Sequence, residues 1–332
     1  MPSFPFFSII LPTYNRAEML RTALRSVLSQ TCQDYECFVL DDGSTDETPA
    51  VFEEFRKEKS LSLIRFENNR RQHVRRNYAI RRATGRFISF LDSDDIWLPR
   101  RLEVFKHAIE KRPETGFWFS NAYLLRGKRI IGTVFKPSRE LIEGALPGWY
   151  AVGDEHIPYL TTNLAVRREI FNQVGLFRED MKILEDTELY ARMLASGVFV
   201  GAIREPLSIR RLHPAQITMD HATAYKECLI ALEAGKISPQ EKEIERLKLV
   251  KKTAGYLLKS LRPIEARRFI LTELGESGRR LWVYPATFIP KPLLSWAKKM
   301  REFYLLTRGF FSRADRQLKE VYLFLEQVSK KD

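Results

Sequence analysis

The stretch Phe87–Trp97, FISFLDSDDIW, constrains this chain more than any other. Five mostly apolar residues run from Phe87 to Leu91 and meet Asp92-Ser93-Asp94-Asp95 without a spacer. A short, aromatic-rich run preceded by Gly85 reads as a buried central strand. Ligands of open α/β sheets sit just beyond the carboxyl ends of the strands, which is where this acidic cluster falls. Three carboxylates within four residues repel one another. A hard divalent cation, Mn2+ or Mg2+, relieves that repulsion and leaves room for substrate phosphates. Asp95 is expected to cap a helix beginning near Ile96–Pro99. That leaves Asp92 and Asp94 as the metal candidates.

The segments around this strand alternate. Phe6–Leu11 reads as a first strand ending in Pro12-Thr13-Tyr14-Asn15, with Asn15 expected to cap a helix whose face carries Leu20, Ala23, Leu24, Val27 and Leu28. Glu36–Leu40 is a second strand, broken by Asp41-Asp42-Gly43-Ser44, and Ser44 with Glu47 has the spacing of a capping box for a helix to about Lys57. Leu61–Phe66 is a third strand, followed by the polar loop Glu67–Gln72 and a basic helix reaching Gly85. Strand and helix in strict alternation predict a doubly wound, mostly parallel α/β sheet.

Two strand ends in such a sheet, Asp41-Asp42 and Asp92-x-Asp94, are acidic, which makes a nucleotide site a candidate. One carboxylate would take a base or ribose while the others hold a metal on a diphosphate. The chain has neither GxxxxGK[ST] nor GxGxxG, so arginine and metal must do the work of a glycine-rich loop. Of Arg70, Arg71, Arg75 and Arg76, only Arg76 is taken as a phosphate ligand, guanidinium being suited to that contact; the rest read as a solvated helix face.

Further on, Phe117–Leu125 and Arg129–Phe135 form a hairpin around Gly127-Lys128, and Lys136–Pro158 is a Pro- and Gly-rich loop long enough to be functional. Thr161–Val166 is a strand, and Arg168–Val174 a helix stopped by Gly175. A helix opens at Leu184-Glu185-Asp186-Thr187-Glu188, with Leu189, Met193 and Leu194 facing inward. From the residues alone, its acids read as complements to a helix dipole. The other reading is a general base for an attacking hydroxyl.

Four blocks in order, SIILPTYNRAEMLRTALRSVLSQT, FVLDDGSTDET, RRNYAIRRATGRFISFLDSDD and LEDTELYARMLASG, resemble the family 2 glycosyltransferases of GT-A fold. The likeness is strongest over residues 8–100 and extends over about 6–220. It implies a domain at 1–221, with a nucleotide-binding half at 1–100 and an acceptor half at 101–221; residues 222–332 match no such block and read from pattern and charge as a basic helical region. It further implies inverting transfer of a sugar from a nucleoside diphosphate donor, UDP by the match at Asp42, to a hydroxyl of a glycan or lipid-linked acceptor. Carried over by position, Pro12 and Tyr14 flank the base and Asp42 takes the uracil edge. Asp92 takes the ribose or metal, Asp94 the metal, and His213, in RRLHPAQIT, joins them near the diphosphate. Asp186 matches the catalytic base, with Glu185 and Glu188 as lesser candidates. Gln72-His73-Val74-Arg75 departs from the pattern, since the family has small residues ahead of its Arg-Asn pair.

Charge and cysteine usage bound the remainder. Residues 222–332 hold 23 Lys and Arg against 13 Asp and Glu, so +10 of the chain's net +13 lies in its last third. An anionic partner is expected there. The three cysteines form neither a disulfide framework nor a zinc site, so the cytoplasm is the expected compartment. MPSFPFFSIILP lacks a basic leader and reads as strand rather than signal peptide. No apolar run reaches the length of about 18 residues that a spanning helix needs. RRLWVYPATFIPKPLLSWAKKMREFYLLTRGFFSR mixes aromatics with cations, which suits an anionic membrane surface on the cytoplasmic side or, equally, helices packed back on the catalytic domain. Two other functions compete: a haloacid dehalogenase-type phosphatase using Asp92 and Asp94, and a basic nucleic-acid-binding protein. The charge surplus lies outside the α/β half and carries no nucleic-acid motif, so no nucleic acid is expected.

Overall fold

The computed structural model describes residues 4–136, 138–152, 156–158, 160–213, 220–308 and 316–329, with backbone only at 298, 301–308, 316 and 317. Alternating strands and helices open the chain: β1 (Phe7–Thr13), α1 (Ala17–Leu28), β2 (Tyr35–Asp41), α2 (Thr48–Phe55), β3 (Leu61–Arg65), α3 (Gln72–Ile80) and β4 (Phe87–Phe90). These four strands pair in parallel in the order β3-β2-β1-β4. Successive side chains of a strand point to opposite faces, and here both faces are apolar. Phe7, Ile9 and Leu11 of β1 pack with α1, with Val51 and Phe55 of α2, and with Leu102, Phe105 and Ile109 of α4 (Arg101–Lys111). Ile10, Ile88 and Phe90 face the other way, toward α3, α5 (Arg168–Val174) and α6 (Glu185–Ala195). Gly85 lies so close to β1 that an added Cβ would sit 2.5 Å from the Ser8 amide nitrogen.

Beyond β4 the sheet turns mixed. β9 (Leu164–Arg167) runs antiparallel between β4 and β6 (Thr115–Arg126), and β10 (Phe199–Leu212) lies parallel to β6. β7 (Arg129–Thr133) closes the expected hairpin on β6, and β8 (Gly144–Ala145) pairs with the start of β10. Asp95–Trp97 is β5, a short edge strand antiparallel to Ser208–Arg210.

Three caps differ from expectation. Asp95 caps no helix; its Oδ1 accepts the Arg211 amide at 3.1 Å, and α4 begins only at Arg101. Burial of Ile96 and Trp97 against the sheet favours a strand over another helical turn. Asn15 sits at φ +49° and accepts from the Thr45 amide, while the Ala17 amide goes to Asp46. Asp46 also accepts from the Thr48 amide at 3.0 Å, so α2 is held by Asp46 rather than by a Ser44–Glu47 box. Asp46 lies between the starts of α1 and α2, so one carboxylate serves both.

The last third is helical: α7 (His221–Ala234), α8 (Pro239–Lys259), α9 (Pro263–Leu274), α10 (Val283–Ala286), α11 (Lys291–Arg308) and α12 (Arg316–Ser329). α8 opens on a capping box between Ser238 and Glu241. α7, α8 and α9 enclose a second core around Tyr225, Leu232, Val250, Ala254, Leu257 and Ile270. α12 returns to the sheet and lays Leu318, Val321, Phe324 and Val328 on Ile96, Tyr123, Leu125, Ile130 and Ile209. No described helix is long and apolar enough to cross a membrane.

Candidate active site

The carboxyl ends of β1, β2 and β4 converge on one edge of the sheet. At the end of β4, oxygens of Asp92, Asp94 and Asp95 all lie within 4.8 Å of one another. The Asp92 amide donates to Thr162 Oγ1 at 3.1 Å, and its Oδ1 accepts from Arg76 Nη2 at 2.5 Å. Asp94 Oδ2 receives Arg16 Nη1 at 2.9 Å and meets His213 Nε2 at 2.8 Å. Burial pushes the Asp92 carboxyl up; Arg76 opposes the shift and Asp94 adds to it. Asp95 is pushed well above the usual carboxylate range, by burial first and then by Asp94 and Asp92. Hard oxygen donors gathered this tightly fit a divalent cation. Nitrogens of Arg16 and His213 already converge on one oxygen of Asp94, where such an ion would also bind.

The second acidic centre is the start of α6. Glu185 is buried, with Oε1 3.2 Å from Gln72 Nε2, 3.5 Å from Arg76 Nη1 and 3.7 Å from His73 Nδ1. Burial alone would raise its pKa, but the His73 and Arg76 contacts outweigh burial and hold it low. Asp186 is only half-buried. Thr161 Oγ1 donates to its Oδ2 at 2.6 Å, and the Thr187 amide to its Oδ1 at 2.7 Å. Its pKa is raised, first by burial and then by the negative charge on Glu185. Asp186 is the carboxylate that meets solvent; Glu185 turns away.

Arg76 joins the two centres. Its guanidinium is 1% exposed and lies between Asp92 and Glu185, near the rings of Phe90 and Phe177. Arg76, expected as a phosphate ligand, lines the cleft and at the same time ties Asp92, just past β4, to Glu185 of α6. The loop before α6 is fixed from elsewhere. Glu227 of α7 accepts the amides of Lys182 at 2.7 Å, Ile183 at 2.9 Å and Leu184 at 2.8 Å.

A cleft of about 690 Å³ unites these parts. Arg16, Arg76, Asp92, Asp94, Asp95, Thr161 and Asp186 line it on the sheet side, and residues of α7 and α8 on the other. Pro12, Tyr14 and Asp42 lie at the ends of β1 and β2, outside that lining. Pro12 is buried and Tyr14 is 42% exposed. Both Asp42 oxygens are engaged: Oδ1 with the Arg70 amide and Arg75 Nε, Oδ2 with the Arg70 and Arg71 amides. Sequence reasoning did not reach Arg16, Thr161, Glu227 or the α8 wall. Arg16 directly follows the PTYN block and was the one within reach of local inspection.

A mostly parallel sheet ending in Asp-x-Asp, with a carboxylate at the head of α6 lining the same cleft, defines a glycosyltransferase of GT-A fold. The chain belongs to glycosyl transferase family 2, whose sequence model matches residues 8–175. That membership makes the chain a glycosyltransferase rather than a phosphatase. The chain is 34% identical over 132 residues to the Escherichia coli UDP-Glc:alpha-D-GlcNAc-diphosphoundecaprenol beta-1,3-glucosyltransferase WfgD, a match covering 40% of this chain and 51% of that enzyme. It is 27% identical to the putative teichuronic acid biosynthesis glycosyltransferase TuaG of Bacillus subtilis, over 75% of this chain and 92% of the relative. Among solved structures, S. aureus TarS 1–349 in complex with UDP aligns with a TM-score of 0.58 at 18% identity, covering 82% of this chain and 91% of that one. The mannosyltransferase PcManGT from Pyrobaculum calidifontis, in complex with GDP-Man and Mn2+, aligns at 0.52 and 16% identity, over 98% and 86%. At such identities the two structures show the fold.

Proposed function

We propose that this glycosyltransferase moves a sugar from a UDP-sugar to a hydroxyl of a lipid-linked glycan, with inversion, in the assembly of an envelope polysaccharide. The observation that carries the reading is the placement of Asp186 and the Asp92–Asp94 pair on one cleft, with Asp186 raised in pKa. In direct displacement the acceptor oxygen bonds to the anomeric carbon as the bond to the donor diphosphate breaks, and the hydroxyl proton passes to Asp186. A base whose pKa is lifted toward neutrality is better matched to that task. Thr161 and the Thr187 amide orient its carboxylate.

Asp94 and Asp92 would hold Mn2+ or Mg2+, with His213 beside them; a bound ion there supplies positive charge to the departing diphosphate. Pro12 and Tyr14 flank the base. Asp42 acts on that pocket through the Arg70 and Arg71 amides it holds, and Arg76 sets the spacing of Asp92 from Glu185. The names of WfgD and TuaG and the TarS complex with UDP support the donor and acceptor classes.

The proposed setting is the cytoplasmic face of an anionic membrane. Supporting it, Trp282 is 77% and Trp296 64% exposed, with Phe288 and Leu293 exposed nearby and Arg279, Arg280, Lys291 and Lys299 interleaved. Of the wider set of aromatics and cations, Phe310, Phe311 and Arg313 lie outside the described residues, as do the side chains of Phe303 and Tyr304. The testing experiment is a panel of UDP-, GDP- and dTDP-sugars with Mn2+ or Mg2+, scored for donor hydrolysis and thermal shift. A UDP-sugar should be turned over in a chelator-sensitive way. Preference for another nucleotide, or full activity in excess chelator, would overturn the donor or the metal assignment respectively.

A further inference from the structure

We infer that the α8 wall of the cleft is the subsite for the phosphorylated end of the acceptor, a phosphate or diphosphate ester gripped by Lys252 and Lys259. The inference rests on the lipid-linked acceptor reading and says where that acceptor is held.

Leu249, Lys252, Thr253, Tyr256, Lys259 and Ser260 all line the cleft. Spacings of three and four residues put them on one face of α8. Lys252 and Lys259 are two turns apart on that face. A third cation, Lys182, enters from the loop before α6, and it too lines the cleft. Among the described residues, every carboxylate lining the cavity (Asp92, Asp94, Asp95 and Asp186) belongs to the sheet side or to α6, and none to α7 or α8. On the sheet side Arg16, Arg76 and Arg210 stand among those acids, whereas the α8 side brings lysines to the lining, and a lysine there attracts an anion. Ammonium groups on flexible stems suit phosphate as point charges.

Between the two lysines, Tyr256 stacks on His221 with ring centroids 5.0 Å apart and planes 12° apart, and Tyr256 remains 37% exposed. That ring offers an apolar surface next to the charges, as the body of a glycosyl or prenyl diphosphate requires. The wall is also fixed relative to the base. Glu227 binds α7 to the three amides just ahead of Glu185 and Asp186, and α7 and α8 share one core. A phosphate seated on α8 would accordingly be held in register with the hydroxyl that Asp186 deprotonates.

A diphosphate reaches this cleft from two sources, acceptor and donor, and one titration separates them. The full chain is titrated, without donor, with N-acetylglucosaminyl decyl diphosphate, with the neutral decyl N-acetylglucosaminide, and separately with UDP. The wild type should bind the diphosphate probe about tenfold or more tightly than the neutral one, the range for hydrogen bonds to charged groups, and added salt should narrow the gap. Lys252→Ala with Lys259→Ala should erase the gap, and Lys252→Arg with Lys259→Arg should keep most of it. Equal binding of the two probes by the wild type would overturn the assignment, as would a gap surviving in the double alanine variant. So would an equal loss of UDP affinity in that variant, which would move the lysines to the donor. The probe titration needs no donor, so failure of every UDP-sugar to turn over would sink the donor reading while leaving this result to stand or fall alone.

Discussion

Asp186 and Asp94 are both acids at the edge of one cleft, yet their surroundings give them different chemistry. Burial first, and then the negative charge of Glu185, make Asp186 hold its proton more tightly than a free aspartate, while the two neutral donors on its carboxylate oppose that shift. Asp186→Asn keeps the shape and removes the proton acceptor; turnover should fall by roughly 10²–10⁴-fold with donor affinity little changed. Undiminished turnover would remove Asp186 from the role of base. The pH profile carries the sign. The base works only when ionised, and its pKa is raised, so kcat/KM should fall on the acid side at a pH above the ordinary aspartate range. That limb should be absent from the residual activity of Asp186→Asn. Asp94 instead meets Arg16 and His213, two partners of positive or titratable charge. Asp94→Ala should abolish metal-stimulated turnover. Its thermal midpoint should move little, because partly exposed ion pairs contribute about 0–1 kcal/mol.

At the scale of elements, the head of α6 depends on α7. Glu227 is 6% exposed and its two oxygens accept three backbone amides. Glu227→Gln turns one acceptor into a donor facing a donor, and leaving a buried amide unpaired costs about 1–3 kcal/mol. The variant should lose stability on that order and lose kcat more than donor KM. The Lys182, Ile183 and Leu184 amides should exchange hydrogen faster. Unchanged exchange at those three amides would show that the loop is held by something else. Arg76 of α3 plays the matching part on the sheet side, joining Asp92, just past β4, to Glu185 of α6, which is 109 residues further along the chain than Arg76.

At the scale of the whole molecule, the basic third contributes to the cleft and also exposes aromatic residues among its cations. Its inner face completes the cleft, and α12 covers the β5–β7 end of the sheet. Outside the cleft lining, Trp282, Phe288, Leu293 and Trp296 are exposed among cations. Each basic residue near an anionic bilayer contributes about 1 kcal/mol, so several together give reversible, salt-sensitive attachment. The full chain should co-sediment with anionic liposomes at low salt and be released at high salt. Replacing Trp282, Phe288 and Trp296 by alanine should weaken that attachment while leaving donor hydrolysis intact. Indifference of the wild type to anionic liposomes at low salt would dismiss the membrane setting.

The sequence by itself determined the elements whose causes are local. Alternating apolar runs made the four parallel strands, Gly175 ended α5, and an apolar strand running into Asp-x-Asp marked the cleft edge. The acids at the head of α6 were visible too, although residues alone left them between helix capping and catalysis. What the tertiary structure decided are choices between equivalent local partners. Asp46, rather than Asn15 or Ser44, received the helix amides because the ends of β1 and β2 lie side by side in the sheet. Asp95 became the edge of a strand because β10, more than a hundred residues later, offered it a backbone to pair with. Arg76 and Asp42 turned inward for the same reason: their best partners are distant in sequence and adjacent in space. Pattern and propensity act over a few residues, whereas a buried charge is satisfied by whatever the fold brings within hydrogen-bonding distance.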